Sequence, residues 1–209
     1  MKERIKHLIL LIILIGIDQI SKYWVRTDLI NRTQIDIIPG VLNLQYHTNN
    51  GAVWGILSGK VDFLKIFTLL ILIVIVFLYF KIPEGKRYNA LKILSIFMIA
   101  GAIGNLIDRF FLGYVVDFIY FEIIDFPLFN FADSCLTVAA IVLFILALLY
   151  YKDEDFAFVN QMFKKKSNQS IAEVKSESEE DEDKAAKEIE NIDTEIEDTE
   201  SEDKTSEDK

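Results

Sequence analysis

Two aspartates stand in unlike and mostly apolar surroundings. Asp117 lies in Gly113-Tyr114-Val115-Val116-Asp117-Phe118-Ile119, and Asp133 in Phe129-Asn130-Phe131-Ala132-Asp133. Apolar neighbours raise the cost of ionising Asp117, whereas the positive end of a helix starting near Phe131 favours a charge on Asp133. Two such carboxylates within a few ångströms of each other share a proton near neutral pH. One then serves as a base that activates water and the other as an acid toward a carbonyl oxygen, the arrangement used by aspartic peptidases.

Other polar residues recur at helical spacing. Asp18 and Lys22 are four apart and share a helix face, so they either form a structural ion pair or contact a substrate directly. Gly101, Asn105, Asp108 and Arg109 form one stripe, and Ala100 and Gly104 add a small-xxx-small spacing that lets helices approach closely. Arg109 reads either as an interfacial anchor or partner of Asp108, or as a site residue. Asn105 and Asn130 read as structural support, Asn130 being placed to cap the helix that follows it. Cys135 reads as a small buried apolar residue, since no histidine is near it in sequence. His47 reads as surface, and Trp24 and Trp54 as an interfacial belt. The single cysteine, the two histidines His7 and His47, and the lack of an HExxH or glycine-rich phosphate loop leave no metal site and no cofactor to expect.

These side chains need a scaffold, and the composition says which. Of the chain's 209 residues, 167–209 hold 18 acidic and 5 basic side chains, so that segment carries −13 and residues 1–166 carry +3 of a net −10. The acidity belongs to the tail alone, which excludes an acidic soluble globule, and the remainder is too apolar for a nucleic-acid binder. A bilayer core of about 30 Å takes roughly 20 apolar residues in a helix. Four stretches qualify: His7–Val25, Val61–Phe80, Leu91–Leu112 and Phe131–Tyr151. The first follows Lys2, Arg4 and Lys6 like a secretory signal, but no small-residue cleavage site precedes Asp18, so it is expected to be retained.

Basic residues set the orientation. Lys2, Arg4 and Lys6; Lys81, Lys86, Arg87 and Lys92; and Lys152, Lys164, Lys165 and Lys166 go to the cytoplasmic side, whereas residues 113–130, expected as an outer loop that carries Asp117, hold no lysine or arginine. Both termini are then cytoplasmic, and the polar residues above map to one depth near the outer leaflet. Between the first two helices, the alternations Gln34–Ile37 and Leu42–His47 flank Pro39-Gly40 and predict a small hairpin-like platform. The expected fold is thus an all-α, four-helix membrane domain over 1–166 with this extracytoplasmic platform, followed by a disordered acidic cytoplasmic tail over 167–209, with a marginal helix near Lys184–Ile196.

Five motifs, taken together, carry a resemblance: Asp18-Gln-Ile-Ser-Lys22, Asn49-Asn50-Gly51-Ala52-Val53-Trp54-Gly55, Gly104-Asn105-Leu106-Ile107-Asp108-Arg109, Val115-Val116-Asp117-Phe118 and Phe129-Asn130-Phe131-Ala132-Asp133-Ser134. In this order, over about residues 10–150, the chain resembles the bacterial lipoprotein signal peptidases (signal peptidase II, aspartic peptidase family A8). The resemblance implies an intramembrane aspartic endopeptidase of the bacterial inner membrane that removes the signal peptide from diacylglyceryl-modified prolipoproteins, just before the lipidated cysteine. It further implies inhibition by globomycin, no cofactor, and action as a monomer among membrane lipids.

By motif, Asp117 and Asp133 become the catalytic pair. Asp18, Lys22, Asn49, Gly101, Asn105, Asp108, Arg109, Asn130 and Ala132 then shape or support the substrate site, with Asp108 expected to pair structurally with its neighbour Arg109. Two departures are Val53-Trp54, where the family often has Ala-Phe, and the long acidic tail. A small proton-coupled transporter and a non-catalytic lipid- or peptide-binding scaffold are the competing classes. A transport pathway needs polar groups through the full thickness, and Leu8–Ile15 and Leu69–Leu78 carry no charge.

Overall fold

The computed structural model describes residues 2–51 and 56–159, excepting the side chain of Asp153. Residues 2–155 fold together as one unit. In chain order come α1 (Lys2–Trp24), β1 (Ile35–Ile38), β2 (Leu42–Asn49), α2 (Val61–Lys81), α3 (Asn89–Phe111), β3 (Val115–Phe121) and α4 (Phe131–Leu149). All four helices are long and apolar enough to cross a membrane. α1 starts five residues earlier than expected, because Lys2, Arg4 and Lys6 join the helix, and α4 stops at Leu149 rather than at Tyr151. Trp54, the Val53-Trp54 departure, the acidic tail and the helix near Lys184–Ile196 lie outside the described residues.

α3 is the central helix. Of its spanning window 56 % is buried, against 6 % for α2, whose Phe63, Ile66, Leu70, Ile73 and Phe77 face outward as a lipid-facing surface would. Leu14, Ile96, Ile99, Ala100 and Cys135 form the core where α1, α3 and α4 meet. Glycine makes that meeting possible: a Cβ at Gly101 would lie 2.5 Å from the Ala132 carbonyl oxygen and 2.8 Å from Leu136 Cγ. Gly104 in turn leaves the space that the Asp18 carboxylate occupies.

Gly101→Ala should therefore push α4 outward and destabilise the protein by about 1–3 kcal/mol, the usual cost of overpacking. Gly16→Ala, which meets nothing within 4 Å, should be neutral or slightly stabilising. Thermal unfolding of the two variants in detergent tests the contrast.

The platform is larger than a hairpin. β1 and β2 pair antiparallel as expected, with Ile35 opposite Leu44, but residues 115–121, expected as loop, form a third strand on the other edge of β2. His47 faces Asp117 and Asn49 faces Val115 in that register. Gly113, at φ +80°, ends α3 in the left-handed conformation and turns the chain into β3. Below the sheet, Val116 and Phe118 pack on Val25 and Leu29, which belong to a π-helical turn that extends α1. Phe129 bonds β3 on its free edge, with its N–H donating to the Ile119 carbonyl at 3.1 Å and its own carbonyl accepting from the N–H groups of Phe118 and Ile119. That bridge places the start of α4 directly beside Asp117.

Candidate active site

Asn130 joins the two aspartates. Its backbone N–H donates to Asp133 Oδ2 at 3.2 Å, and its Oδ1 accepts from the Asp133 N–H at 3.0 Å, a reciprocal cap on the first turn of α4. Both hydrogens of its amide are also committed, one to Asp117 Oδ1 at 2.7 Å and one to Asn105 Oδ1 at 3.1 Å. With 0 % exposure, Asn130 has its whole side chain and its backbone N–H satisfied by site residues. Asn49 donates to the second oxygen of Asp117 at 2.9 Å and accepts from the Gly51 N–H at 2.9 Å, while Asn105 donates to Asp133 Oδ1 at 2.7 Å.

Each of these amides has its orientation dictated by chemistry. Asn105 Oδ1 receives both the Lys22 ammonium and the Asn130 amide, so its NH₂ must face Asp133. Neither aspartate makes an ion pair with a cation among the described residues; their direct partners are amide N–H groups. Asp117 is 1 % exposed, and Asp133 half-buried. Burial first, and then the charge of Asp133, push the Asp117 carboxyl up to about 7, against the opposing hydrogen bonds from Asn49 and Asn130. Asp117 therefore holds a proton where an ordinary aspartate would not.

Beneath this layer lies an ionic cluster. Lys22, 2 % exposed, spends its three donors on Asp18 Oδ2 at 2.9 Å, Asp108 Oδ2 at 3.2 Å and Asn105 Oδ1 at 3.0 Å. No donor remains for a substrate, so of the two readings of the Asp18–Lys22 pair the geometry favours the structural one. Asp18 Oδ1 accepts the Ala132 N–H at 2.9 Å and so ties α1 to the start of α4. Asp108 Oδ2 accepts the Val116 N–H at 3.1 Å, which ties α3 to the strand carrying Asp117.

The expected pairing of Asp108 with Arg109 does not occur. Consecutive helical residues point about 100° apart, and Arg109 instead donates to the Gly51 carbonyl at 3.2 Å, holding the segment that carries Asn49. Gly101 and Ala132 meet at the α3–α4 contact described above. Cys135 is buried and free, and His47 exposed, as expected.

Sequence reasoning missed Gln19, whose Nε2 reaches Asp18 Oδ2, the Gly104 carbonyl and Asp108 Oδ1 at 3.0–3.3 Å. Its place between Asp18 and Lys22, directly after the uncharged apolar run Leu8–Ile17, was the available signal. No group of three or more acidic, histidine or cysteine side chains suited to a metal occurs among the described residues. The arrangement sets two carboxyls, bridged by Asn130, among neutral donors, a setting in which one can serve as acid and the other as base.

The family described as signal peptidase (SPase) II matches residues 10–149. The lipoprotein signal peptidases of Staphylococcus aureus strains JH9 and Newman are each 46 % identical over 134 residues, covering 63 % of this chain and 80 % of theirs. Two solved structures, both described as a bacterial membrane enzyme obtained by the in meso method, at 2.3 Å and 1.9 Å resolution, superpose with TM-scores of 0.62 and 0.61. They are 41 % and 40 % identical to this chain, covering 68 % and 70 % of it and 87 % and 94 % of their own chains. The family match takes in every residue of the Asp117–Asp133 network and all four helix cores, so the chain belongs to the signal peptidase II family.

Proposed function

We propose that this multi-pass membrane protease is an aspartic endopeptidase that removes the signal peptide from diacylglyceryl-modified bacterial prolipoproteins, cutting just before the lipidated cysteine. The observation that carries the reading is the convergence of Asp117 and Asp133 on Asn130, with only neutral donors around them. Asp133, half-buried at the mouth of α4, takes a proton from water, and the hydroxide adds to the scissile carbonyl carbon. Asp117 gives its proton to the carbonyl oxygen, forming a neutral gem-diol. Asp133 then protonates the departing nitrogen as the C–N bond breaks, and the gem-diol proton returns to Asp117. Asn49, Asn105 and Asn130 keep the two carboxyls in register, and Arg109 holds Gly51 and with it Asn49.

The basic flanks of the helices support an inner-membrane orientation with both termini cytoplasmic and the site at the outer leaflet. There a substrate's acyl chains remain in lipid while its peptide enters the polar pocket. Globomycin-type cyclic peptides would occupy that pocket, and one chain supplies both aspartates, so a monomer suffices. Removing the acidic segment 167–209 should leave cleavage unchanged, and a large loss would give that segment a role in the reaction.

The shared proton predicts a bell-shaped pH dependence. Above about 7 Asp117 loses its proton and the acid is lost, whereas in acid both carboxyls are protonated and the base is lost. The same shift has a sign for stability. The Asp117 carboxyl ionises near 3.8 when unfolded and near 7 when folded, so the folded state binds more protons and stability falls as pH rises across that window. Cleavage rate and unfolding midpoint against pH, measured on one preparation, test both, and a rate constant from pH 5 to 10 would contradict the shared proton.

A further inference from the structure

A crevice of about 200 Å³ opens between α1 and α3, lined by Gln19, Tyr23 and Arg26 from the α1 side and Ile107, Phe111 and Leu112 from the α3 side. Lys22 and Asp108 also border it, but they are spent on each other and on Asp18 and Asn105. Arg26 is not spent: it makes no ion pair among the described residues. The group facing it from the sheet is the Tyr46 phenol, which burial and the Tyr114 hydroxyl push up to about 12, so it supplies no negative charge at neutral pH. Asp28, two residues on, is hydrogen-bonded by Thr27 and does not reach Arg26 as an ion pair.

The depth of the crevice is set by its neighbours. Tyr23 and Trp24 are 63 % and 40 % exposed at the end of α1, where an aromatic belt marks the boundary between acyl chains and headgroups. Arg26 lies two residues beyond, at the level of lipid phosphates. Ile20, 71 % exposed and six residues before Arg26, presents apolar surface on the acyl-chain side, and Phe111, 83 % exposed, flanks the crevice at the end of α3. A guanidinium without a counter-ion, beside the Tyr23 phenol and above the exposed Ile20, matches a lipid phosphodiester with its chains running down the helices.

We propose that the α1–α3 crevice binds the headgroup of an anionic phospholipid, with Arg26 clasping its phosphate and the Tyr23 hydroxyl completing the polar wall. This crevice lies between α1 and α3, whereas the two aspartates are carried by β3 and α4, and its occupant is bulk lipid rather than substrate.

Native mass spectrometry of the full chain in detergent, with added phosphatidylglycerol or phosphatidylcholine, tests this directly. The wild-type protein should retain phosphatidylglycerol preferentially. Arg26→Gln should weaken retention about fivefold, and Arg26→Lys should fall between. Arg32→Gln, which removes an exposed cation outside the crevice, should retain lipid like the wild type, and inorganic phosphate should not compete. Equal loss in Arg26→Gln and Arg32→Gln would reduce the effect to general charge and overturn the proposal. So would indifference to the headgroup, or displacement by inorganic phosphate. Unfolding midpoints confirm that the variants are folded, and because the readout is lipid retention, failure would leave the peptidase reading untouched.

Discussion

Asp117→Asn and Asp133→Asn should each lower the cleavage rate by about 10³-fold or more while leaving the protein folded. Removing a positioned acid or base costs about 10²–10⁴-fold, and in the proposed mechanism the two act on one proton, so the double variant should lose little more than either single one. Asparagine keeps size and polarity. At 117 it keeps a carbonyl for Asn49 or Asn130 but presents an NH₂ to the other, a loss of one hydrogen bond rather than of the fold. A non-catalytic scaffold would tolerate both changes. Asp108→Asn separates the roles: Asp108 meets Lys22 and the Val116 N–H and lies outside the proton pair, so its loss should appear first in stability.

Lys22→Met should produce the largest loss of stability of any single change in the cluster. Lys22 neutralises Asp18 and Asp108 in a site where all three are at most 3 % exposed. Taking away the cation strands two buried carboxylates, and breaking a buried ion pair in this way costs about 3–5 kcal/mol. Asn105 would also lose the contact that turns its amide toward Asp133, so activity should fall even in the folded fraction. Adding Asp18→Asn and Asp108→Asn to Lys22→Met should recover part of the stability, because no uncompensated charge then remains. Unfolding midpoints of the single and triple variants measure that coupling, and equal midpoints would deny the cluster its structural role.

The helices were legible in the sequence because bilayer thickness imposes one length on every apolar run, and Val61–Lys81 begins at the residue expected. The Asp18–Lys22 pair was legible because four residues on one helix is a local geometry. β3 was not, since Val115–Phe121 carries apolar residues on both faces and lies between two spanning helices, where a loop was the simpler expectation. Its β-branched and aromatic content was nonetheless that of a strand. The partners of the aspartates were beyond local reading altogether: Asn105 meets Asp133 across 28 residues and Asn49 meets Asp117 across 68. These contacts exist because Gly101 brings α4 against α3 and Phe129 stitches α4 to β3, and both are tertiary facts. Asp108 shows the same limit, for the adjacent Arg109 was the nearer candidate in sequence, yet the helix turns it away and offers Lys22 from α1 instead.

One measurement addresses the claim that two carboxylates activate water. Purified protein cleaves a diacylglyceryl-modified prolipoprotein in H₂¹⁸O under single-turnover conditions, and mass spectrometry reads both products and the enzyme. The account predicts a lipoprotein beginning at its lipidated cysteine and one ¹⁸O in the new carboxyl end of the released signal peptide, with none in Asp117 or Asp133. Label in either aspartate, or no cleavage by the wild-type protein where a Staphylococcus aureus relative cleaves, would contradict it.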